Sequence, residues 1–302
     1  MAHRAPDPPM TLSKTLGARP RRSVLYLPAS NAKAVDKART LDCDVVILDL
    51  EDSVAPDAKD EARVGAATAM AAGGFGDREV VIRVNGLDTP WGAADLAMAA
   101  KAGPDAVLVP KISAPEDLTA CRATLGAAIP LWAMIETCAA MLRLDAIGAA
   151  STTTGVTVWV IGSNDLAKEM HCPLTSERPG LTTALSLSLM AARAHHLGIL
   201  DGVYNDIADT EGLSQQCAQG RALGFDGKTL IHPSQISAAN TAFTPEPEAI
   251  AWARTVVAAF TLPENAAKGV LKVEGRMVER LHLAESHRLI AVAKAIAARS
   301  QA

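Results

Sequence analysis

Aromatic residues are scarce: four Trp, two Tyr and four Phe, or 3% of 302 residues. A core this poor in rings must be filled by Ala, Val, Leu and Ile, which suits helix–strand interfaces and barrel interiors better than a β-sandwich. Basic charge is not in excess either. The net charge is −4, and the few aromatics are not interleaved with Arg or Lys, which argues against a nucleic-acid partner. No apolar run approaches the roughly 20 residues that span a bilayer, and Met1–Pro20 has Pro and Arg but no apolar signal core. The expectation is a cytoplasmic protein with no membrane partner. Cys43, Cys121, Cys138, Cys172 and Cys217 stand singly, without a Cys-x-x-Cys pair or a His-x-His that would complete a zinc site. Reduced, mostly buried thiols are expected. Cys138 lies near Glu136 but has no base beside it in sequence, so a small helix-face residue is the better reading than a nucleophile. A Gly-x-Gly-x-x-Gly turn after the first strand is also missing. The Gly73-Gly74-Phe75-Gly76 cluster follows a helix and precedes a strand, the wrong polarity for a phosphate cradle.

What the chain does have is an alternation of apolar β-type runs with Ala-rich helical stretches. Strands are expected over residues 24–27, 45–50, 80–84, 106–109, 131–135, 156–161, 199–203 and 225–230. Helices are expected over 32–39, 59–72, 91–100, 115–125, 138–147, 166–170 and 211–223, with an extra one over 182–197. Eight strand-then-helix units favour a closed α/β fold, a (β/α)8 TIM barrel, over an open doubly wound sheet. A helix over 248–260, a short strand over 270–273 and an amphipathic helix over 279–298 are surplus to a barrel. The expected organisation is a tail of residues 1–20, a barrel of 21–262 and a C-terminal helical extension of 263–302 that packs on a neighbouring subunit.

Polar residues at the ends of these strands form a convergent set, because catalytic groups of such barrels gather at the C-terminal rim. They are Asp49, Glu51 and Asp52, then Arg83 and Asn85, Lys111, Glu136, Asp165, Asp201 and Asn205, and His232. Glu136 and Asp165 carry no His or Cys beside them, so as a pair they suit a hard divalent cation such as Mg²⁺ better than zinc. Such an ion keeps open positions, which the carboxylate and keto oxygens of a 2-oxo acid would fill. Arg83 reads two ways: its planar fork either holds a substrate carboxylate or pairs with Glu51 or Asp49. Lys111 suggests a Schiff-base amine, but surrounding carboxylates would keep it charged, so an electrostatic or hydrogen-bonding role is preferred. His195 and His196 are adjacent on a helix and point apart, so they make no shared metal site.

Taken together, Ser23-Val24-Leu25-Tyr26-Leu27-Pro28, Ile47-Leu48-Asp49-Leu50-Glu51-Asp52-Ser53-Val54, Arg83-Val84-Asn85, Val109-Pro110-Lys111, Ile135-Glu136-Thr137, Gly162-Ser163-Asn164-Asp165-Leu166 and Ile231-His232-Pro233-Ser234-Gln235 resemble the citrate lyase β-subunit-like family of metal-dependent aldolase barrels. The resemblance runs from about Arg21 to Leu289. It implies a TIM barrel assembled as a homotrimer or hexamer, with Mg²⁺ on Glu136 and Asp165 and Arg83 on the oxo acid's carboxylate. It further implies cleavage of a 3-hydroxyacyl-CoA of malyl, citramalyl or citryl type into acetyl-CoA and a 2-oxo acid. Thioester hydrolysis, malate-synthase-like condensation, or an accessory subunit without activity of its own are the alternatives. Asp49, Glu51 and Lys111 join the catalytic set, and Asn85 and His232 the substrate-binding set. Arg21, Arg22, Lys33 and Lys37 either serve the CoA phosphates or form a solvated helix face. The family's C-terminal segment usually offers an aspartate after a Gly-x-Met-hydrophobic stretch. Here Gly275-Arg276-Met277-Val278 is followed by Glu279, longer by one methylene or about 1.5 Å, enough to displace a proton-transfer group.

Overall fold

Eight parallel strands close on themselves in chain order. The structure, a computed structural model, describes residues 19–299; of the tail expected over residues 1–20, residues 1–18 lie outside the described residues. Within the unit Arg21–Phe243 the order is β1 (Ser23–Pro28), α1 (Ala32–Ala38), β2 (Val45–Asp49), α2 (Lys59–Ala72), β3 (Glu79–Arg83), α3 (Gly92–Ala102), β4 (Ala106–Val109), α4 (Pro115–Leu125) and β5 (Leu131–Ile135). It continues through α5 (Cys138–Met141), α6 (Leu144–Thr154), β6 (Val156–Ile161), α7 (Ser163–Glu169), α8 (Thr182–Ala194), β7 (Gly198–Asp201), α9 (Thr210–Leu223), β8 (Gly227–Leu230) and α10 (Ile236–Phe243). Strand β8 pairs back onto β1 through Ser23–Lys228 and Val24–Thr229. This is the expected (β/α)8 barrel.

Two apolar layers divide the side chains by strand parity. Val24, Val45, Ile47, Val81, Ala106, Leu108, Trp132, Met134, Val158, Val160 and Leu200 fill the interior, with Tyr26 against them. The alternate residues, such as Leu25, Val46, Leu48, Ile82, Val107 and Ile199, face the helices. Burying each Val, Leu or Ile contributes about 1.5–3 kcal/mol, so a one-residue register slip would exchange both layers at prohibitive cost. Parity also decides what reaches the rim from inside: continuing the interior rows by two residues gives Asp49 after Ile47, Arg83 after Val81 and Glu136 after Met134.

Local chemistry sets the helix ends. Helix α4 begins with Pro115, and the Asp117 carboxylate accepts the N–H groups of Ser113 and Ala114 at 2.8 and 2.9 Å. Helix α9 is capped by Asp209, which accepts the Gly212 N–H at 2.8 Å, and stops at Gly224 with φ 108°. The single helix expected over 138–147 is two, because Arg143 leaves helical geometry with φ −130°. A turn leaves Leu142 exposed there.

A second compact unit starts at Thr244. It holds α11 (Pro247–Thr261), an antiparallel hairpin of β9 (Val270–Val273) and β10 (Arg276–Glu279), and α12 (Arg280–Arg299). Val256 and Phe260 of α11 cluster with Leu271, Val273 and Val278 of the hairpin. With that packing, α11 belongs to this unit together with the hairpin. Among the described residues, no helix is long and apolar enough to cross a membrane.

Candidate active site

At the C-terminal mouth, Asp49 and Arg83 lie opposite each other in the β2–β3 ladder. Arg83 Nε and Nη2 donate to the two Asp49 oxygens, each at 2.6 Å, and Nη1 lies 2.8 Å from Glu51 Oε2. Its guanidinium carbon sits 4.7 Å from the centre of the Tyr26 ring. Burial by itself would raise the Asp49 carboxyl, but the charge and hydrogen bonds of Arg83 hold it below the ordinary value. Burial opposes the charge on Arg83, yet Asp49, Tyr26 and Glu51 hold its pKa well above the usual range. Of its two sequence readings, the structure forms the ion pair, with both Asp49 and Glu51.

Glu51 is the hinge of this cluster. One oxygen meets Arg83 and the other accepts from Lys111 Nζ at 3.2 Å. Burial raises its carboxyl pKa, against the pull of Arg83. Backbone scaffolding holds the segment in place: Lys59 Nζ donates to the Leu50 and Glu51 carbonyls, each at 2.8 Å. Asn85 Nδ2 donates to the Leu50 carbonyl at 2.9 Å and to Asp95 at 2.6 Å. Asn85 thus joins β2 to α3.

Glu136 stands immediately after β5 and is 2% exposed. The Lys111 N–H donates to its Oε1 at 2.7 Å. Gly162 is required opposite it, because a Cβ there would lie 2.0 Å from Glu136 Oε2. Burial, reinforced by the negative charges of Asp165 and Glu51, pushes the Glu136 carboxyl from about 4.5 up to about 8. Asp165 is in the first turn of α7. Both carboxylates line one cavity of about 380 Å³, together with Lys111, Thr137, Lys168, Glu169 and His171. Lys111 has φ 55°, a left-handed conformation unusual for a side-chain-bearing residue. Burial lowers its amine, but Glu51, Asp52 and Asp165 outweigh that and raise its pKa. A protonated amine is no Schiff-base nucleophile.

Not all the expected residues gather here. Arg21 and Arg22 lie at the start of β1, the opposite mouth. Arg21 Nε and Nη2 bind Glu79 at 2.6 and 2.9 Å, and Arg22 binds the Asp44 carboxylate at 2.9 Å through both Nε and Nη2. They are tied to acids before β2 and at the start of β3, and the structure does not bring them to the rim. Lys33 and Lys37 are exposed on α1. His232 is exposed after β8, with Nδ1 2.8 Å from Ser234 Oγ. Asp201 follows the interior residue Leu200 by one position, so parity turns it outward. There it is buried between Arg178, at 2.6 and 2.9 Å, and Lys228, at 3.0 Å. Glu279 ends β10 in the second unit, exposed, with its N–H donated to His282 Nδ1 at 2.9 Å.

Lys168, Glu169 and His171 were not singled out from sequence. For Lys168 and Glu169 the signal was present: with Asp165 in a first helical turn, positions three and four further on share its face. Burial pushes the Cys121 and Cys217 thiols up to about 12 and about 11, as expected of inert cysteines.

Among the described residues, no three or more His, Cys, Asp or Glu side chains form a complete metal cage. Two carboxylates are what Mg²⁺ uses when waters and substrate oxygens complete its octahedron. The upward shift of Glu136 comes first from burial and only then from the negative charges of Asp165 and Glu51, which a cation between the carboxylates would offset.

The chain matches the family model described as HpcH/HpaI aldolase/citrate lyase over residues 22–233. It is 48% identical to a (3S)-malyl-CoA thioesterase of Cereibacter sphaeroides over 281 residues, 93% of this chain and 97% of the relative. It is 30% identical to the mitochondrial citramalyl-CoA lyase of Rattus norvegicus over 294 residues, 92% of this chain and 87% of the relative. The structure is also similar to that of CitE from Mycobacterium tuberculosis in complex with magnesium, acetoacetate and coenzyme A. That match has a TM-score of 0.73 and 29% identity, covering 92% of this chain and 98% of the other.

Proposed function

Because this chain belongs to the HpcH/HpaI aldolase/citrate lyase family, we propose that it is a Mg²⁺-dependent enzyme of malyl-CoA-type 3-hydroxyacyl-CoA thioesters that cleaves their carbon–carbon bond. The observation that carries this reading is the shared cavity of Glu136 and Asp165 beside the Lys111–Glu51–Arg83 charge cluster. Support also comes from the citramalyl-CoA lyase relative and from the CitE complex, which holds magnesium and coenzyme A.

Glu136 and Asp165 would hold the ion, whose chemistry is to acidify a bound hydroxyl and polarise the carbonyl that forms from it. Lys111 has two tasks. Its N–H fixes the Glu136 carboxylate, and its ammonium supplies positive charge at the cavity wall. Asp49 holds Arg83 as a permanent cation behind Glu51. The substrate's hydroxyl gives its proton to solvent, its C2–C3 bond breaks, the 2-oxo acid leaves with the new C=O, and the electron pair stays on the thioester as an enolate. A proton must then reach that carbon to give acetyl-CoA. Glu279 of an adjacent copy is proposed as the donor, in a homotrimer or hexamer whose residues 263–302 reach the neighbour. Lys33, Lys37 and His232 remain candidates for contacts to the CoA portion.

A second reading is hydrolysis of the same thioester, favoured by the 48% identity to a malyl-CoA thioesterase across almost its whole length. The two differ in products. Incubation with (3S)-malyl-CoA and Mg²⁺ is expected to release glyoxylate in step with substrate loss, with no free thiol. Free thiol and malate without glyoxylate would establish hydrolysis instead. Neither product would leave the site without its proposed activity.

A further inference from the structure

The two carboxylates proposed for the ion are held in different ways. Glu136 is fixed individually, by the Lys111 N–H at 2.7 Å and by the bare Cα of Gly162. Among the described residues, nothing donates a hydrogen bond to the Asp165 carboxylate. Its place is therefore the place of α7. That helix has seven residues, about two turns, and its N-cap Gly162 makes no side-chain cap. So short a helix does not hold its own position. What holds it is the end of β7.

The front of α7 rests on Gly202. A Cβ at Gly202 would lie 2.5 Å from Ser163 Oγ and 2.9 Å from both Ser163 Cβ and the Ile161 carbonyl oxygen. Gly202 is not among the glycines with positive φ, so close approach rather than backbone freedom requires glycine here. Ser163 Oγ is buried without a hydrogen-bond partner among the described residues, so packing alone seats it. The next residue, Asn164, exchanges two amide hydrogen bonds with Asn205, at 3.2 and 2.8 Å.

The rear of α7 returns to the same strand end. His171, with φ 55°, turns the chain out of the helix, its N–H donating to the Lys168 carbonyl at 3.1 Å. The loop that follows is pinned by Arg178, which is fully buried and donates to both Asp201 oxygens at 2.6 and 2.9 Å. Gln216 and Gln219 of α9 donate to the Ser176 and Glu177 carbonyls at 3.2 and 3.0 Å. Asp201 in turn accepts the Gly202 N–H at 2.8 Å, and Lys228 Nζ donates to Asp201 at 3.0 Å and to the Gly202 carbonyl. Two consecutive residues thus meet both ends of the helix that carries Asp165. Buried ion clusters contribute little net stability, which favours a geometric use for this one.

Resting on the metal assignment above, we propose that Asp201, Gly202 and Asn205 are positioning residues for Asp165: they clamp α7 and so set the separation of the two metal-holding carboxylates. Mg²⁺ demands near-ideal geometry at about 2.0–2.1 Å from each oxygen, and a site works when its groups are held within about 0.5 Å. Ordinary contact with a Cβ begins at 3.4 Å, so alanine at Gly202, 2.9 Å from Ser163 Cβ, forces a shift of about that size.

The test is calorimetric Mg²⁺ binding to the full-length protein, read beside thermal melting. Gly202→Ala is expected to raise the Mg²⁺ Kd about tenfold, the usual effect of disturbing what orients a metal ligand. Ser163→Ala alone should leave the Kd within about twofold, because its hydroxyl bonds nothing. Combined with Gly202→Ala it removes the nearest clash, and part of the lost affinity should return. Gly148→Ala, whose Cβ would run into the His195 ring in the helical layer, is the control: it should lower Tm with the Mg²⁺ Kd unmoved. Asn205→Ala removes only the exposed amide pair and is expected to raise the Kd about threefold. Unchanged Mg²⁺ affinity in folded Gly202→Ala overturns the proposal; if that variant does not fold, unchanged affinity in Asn205→Ala does so. A Kd that rises as far in Gly148→Ala as in Gly202→Ala would mark general destabilisation and also overturn it. Wild-type protein that binds no Mg²⁺ would overturn the metal assignment itself, and this inference with it.

Discussion

Mg²⁺ affinity is predicted to depend steeply on pH, because the proton on Glu136 competes with the ion. With the carboxyl at about 8, binding at neutral pH must displace that proton. Affinity should therefore fall with a slope approaching tenfold per pH unit below 8, about fiftyfold between pH 8 and 6, equivalent to about 2.3 kcal/mol. Above pH 8 it should level off. Calorimetry in buffers of different ionisation enthalpy is expected to count about 0.9 protons released per Mg²⁺ at pH 7 and about 0.1 at pH 9. Stability of the metal-free protein carries the same sign. The unfolded chain loses this proton near 4.5 and the folded one near 8, so between those values the folded state binds more protons. Its stability is then greatest at the acid end of the window and falls as pH rises, by on the order of 4 kcal/mol. Excess Mg²⁺ should restore it. A Mg²⁺ affinity flat from pH 6 to 9, with no proton released, would refute the account of why Glu136 is so placed.

Three further outcomes follow from the same geometry. Gly162→Ala puts a Cβ where the Glu136 carboxylate lies, 2.0 Å from Oε2; calorimetry should show at least about tenfold weaker Mg²⁺ binding, with about 1–3 kcal/mol lost in thermal melting. Unchanged Mg²⁺ affinity would mean that the close approach is irrelevant. Arg178→Ala leaves Asp201 with Lys228 as its one buried cation and should cost about 3 kcal/mol in urea denaturation; a loss under about 1 kcal/mol would show that Arg178 does not anchor its loop. Borohydride added with a 2-oxo acid should leave the protein's mass unchanged, since the Lys111 amine is held protonated; a reduced adduct on Lys111 would point to Schiff-base chemistry.

The barrel was legible in the sequence because most strands are short apolar runs and most of the helices between them are rich in Ala. The β4, β5 and β6 spans agree with expectation to the residue. Glu136 was legible as well, since parity from Met134 and a polar stop after Ile135 leave it one direction to face. Asp201 misled for want of the same check: it also ends a strand, but one position out of phase with Leu200, and its partners Arg178 and Lys228 come from distant segments. Arg21 and Arg22 suggest CoA phosphates or a solvated helix face by charge alone, but their place before β1 puts them at the other mouth, bound to Glu79 and Asp44. Helix α10 is not legible because Ile236–Phe243 is only eight residues long and follows the last strand directly after His232-Pro233-Ser234-Gln235, a turn-forming stretch. Strand β10 was missed because Arg276–Glu279 becomes a strand only by pairing with β9. The conformation of His171 lies in the return of the chain from α7, and no periodicity encodes it.

The central claim is that Glu136 and Asp165 jointly hold one divalent cation. Crystals soaked in Mn²⁺ would report on it through anomalous difference density. The account predicts a single strong peak within about 2.2 Å of a carboxylate oxygen from each residue, lost in Glu136→Gln. A peak bound elsewhere, or one that survives the loss of both carboxylates, would contradict it.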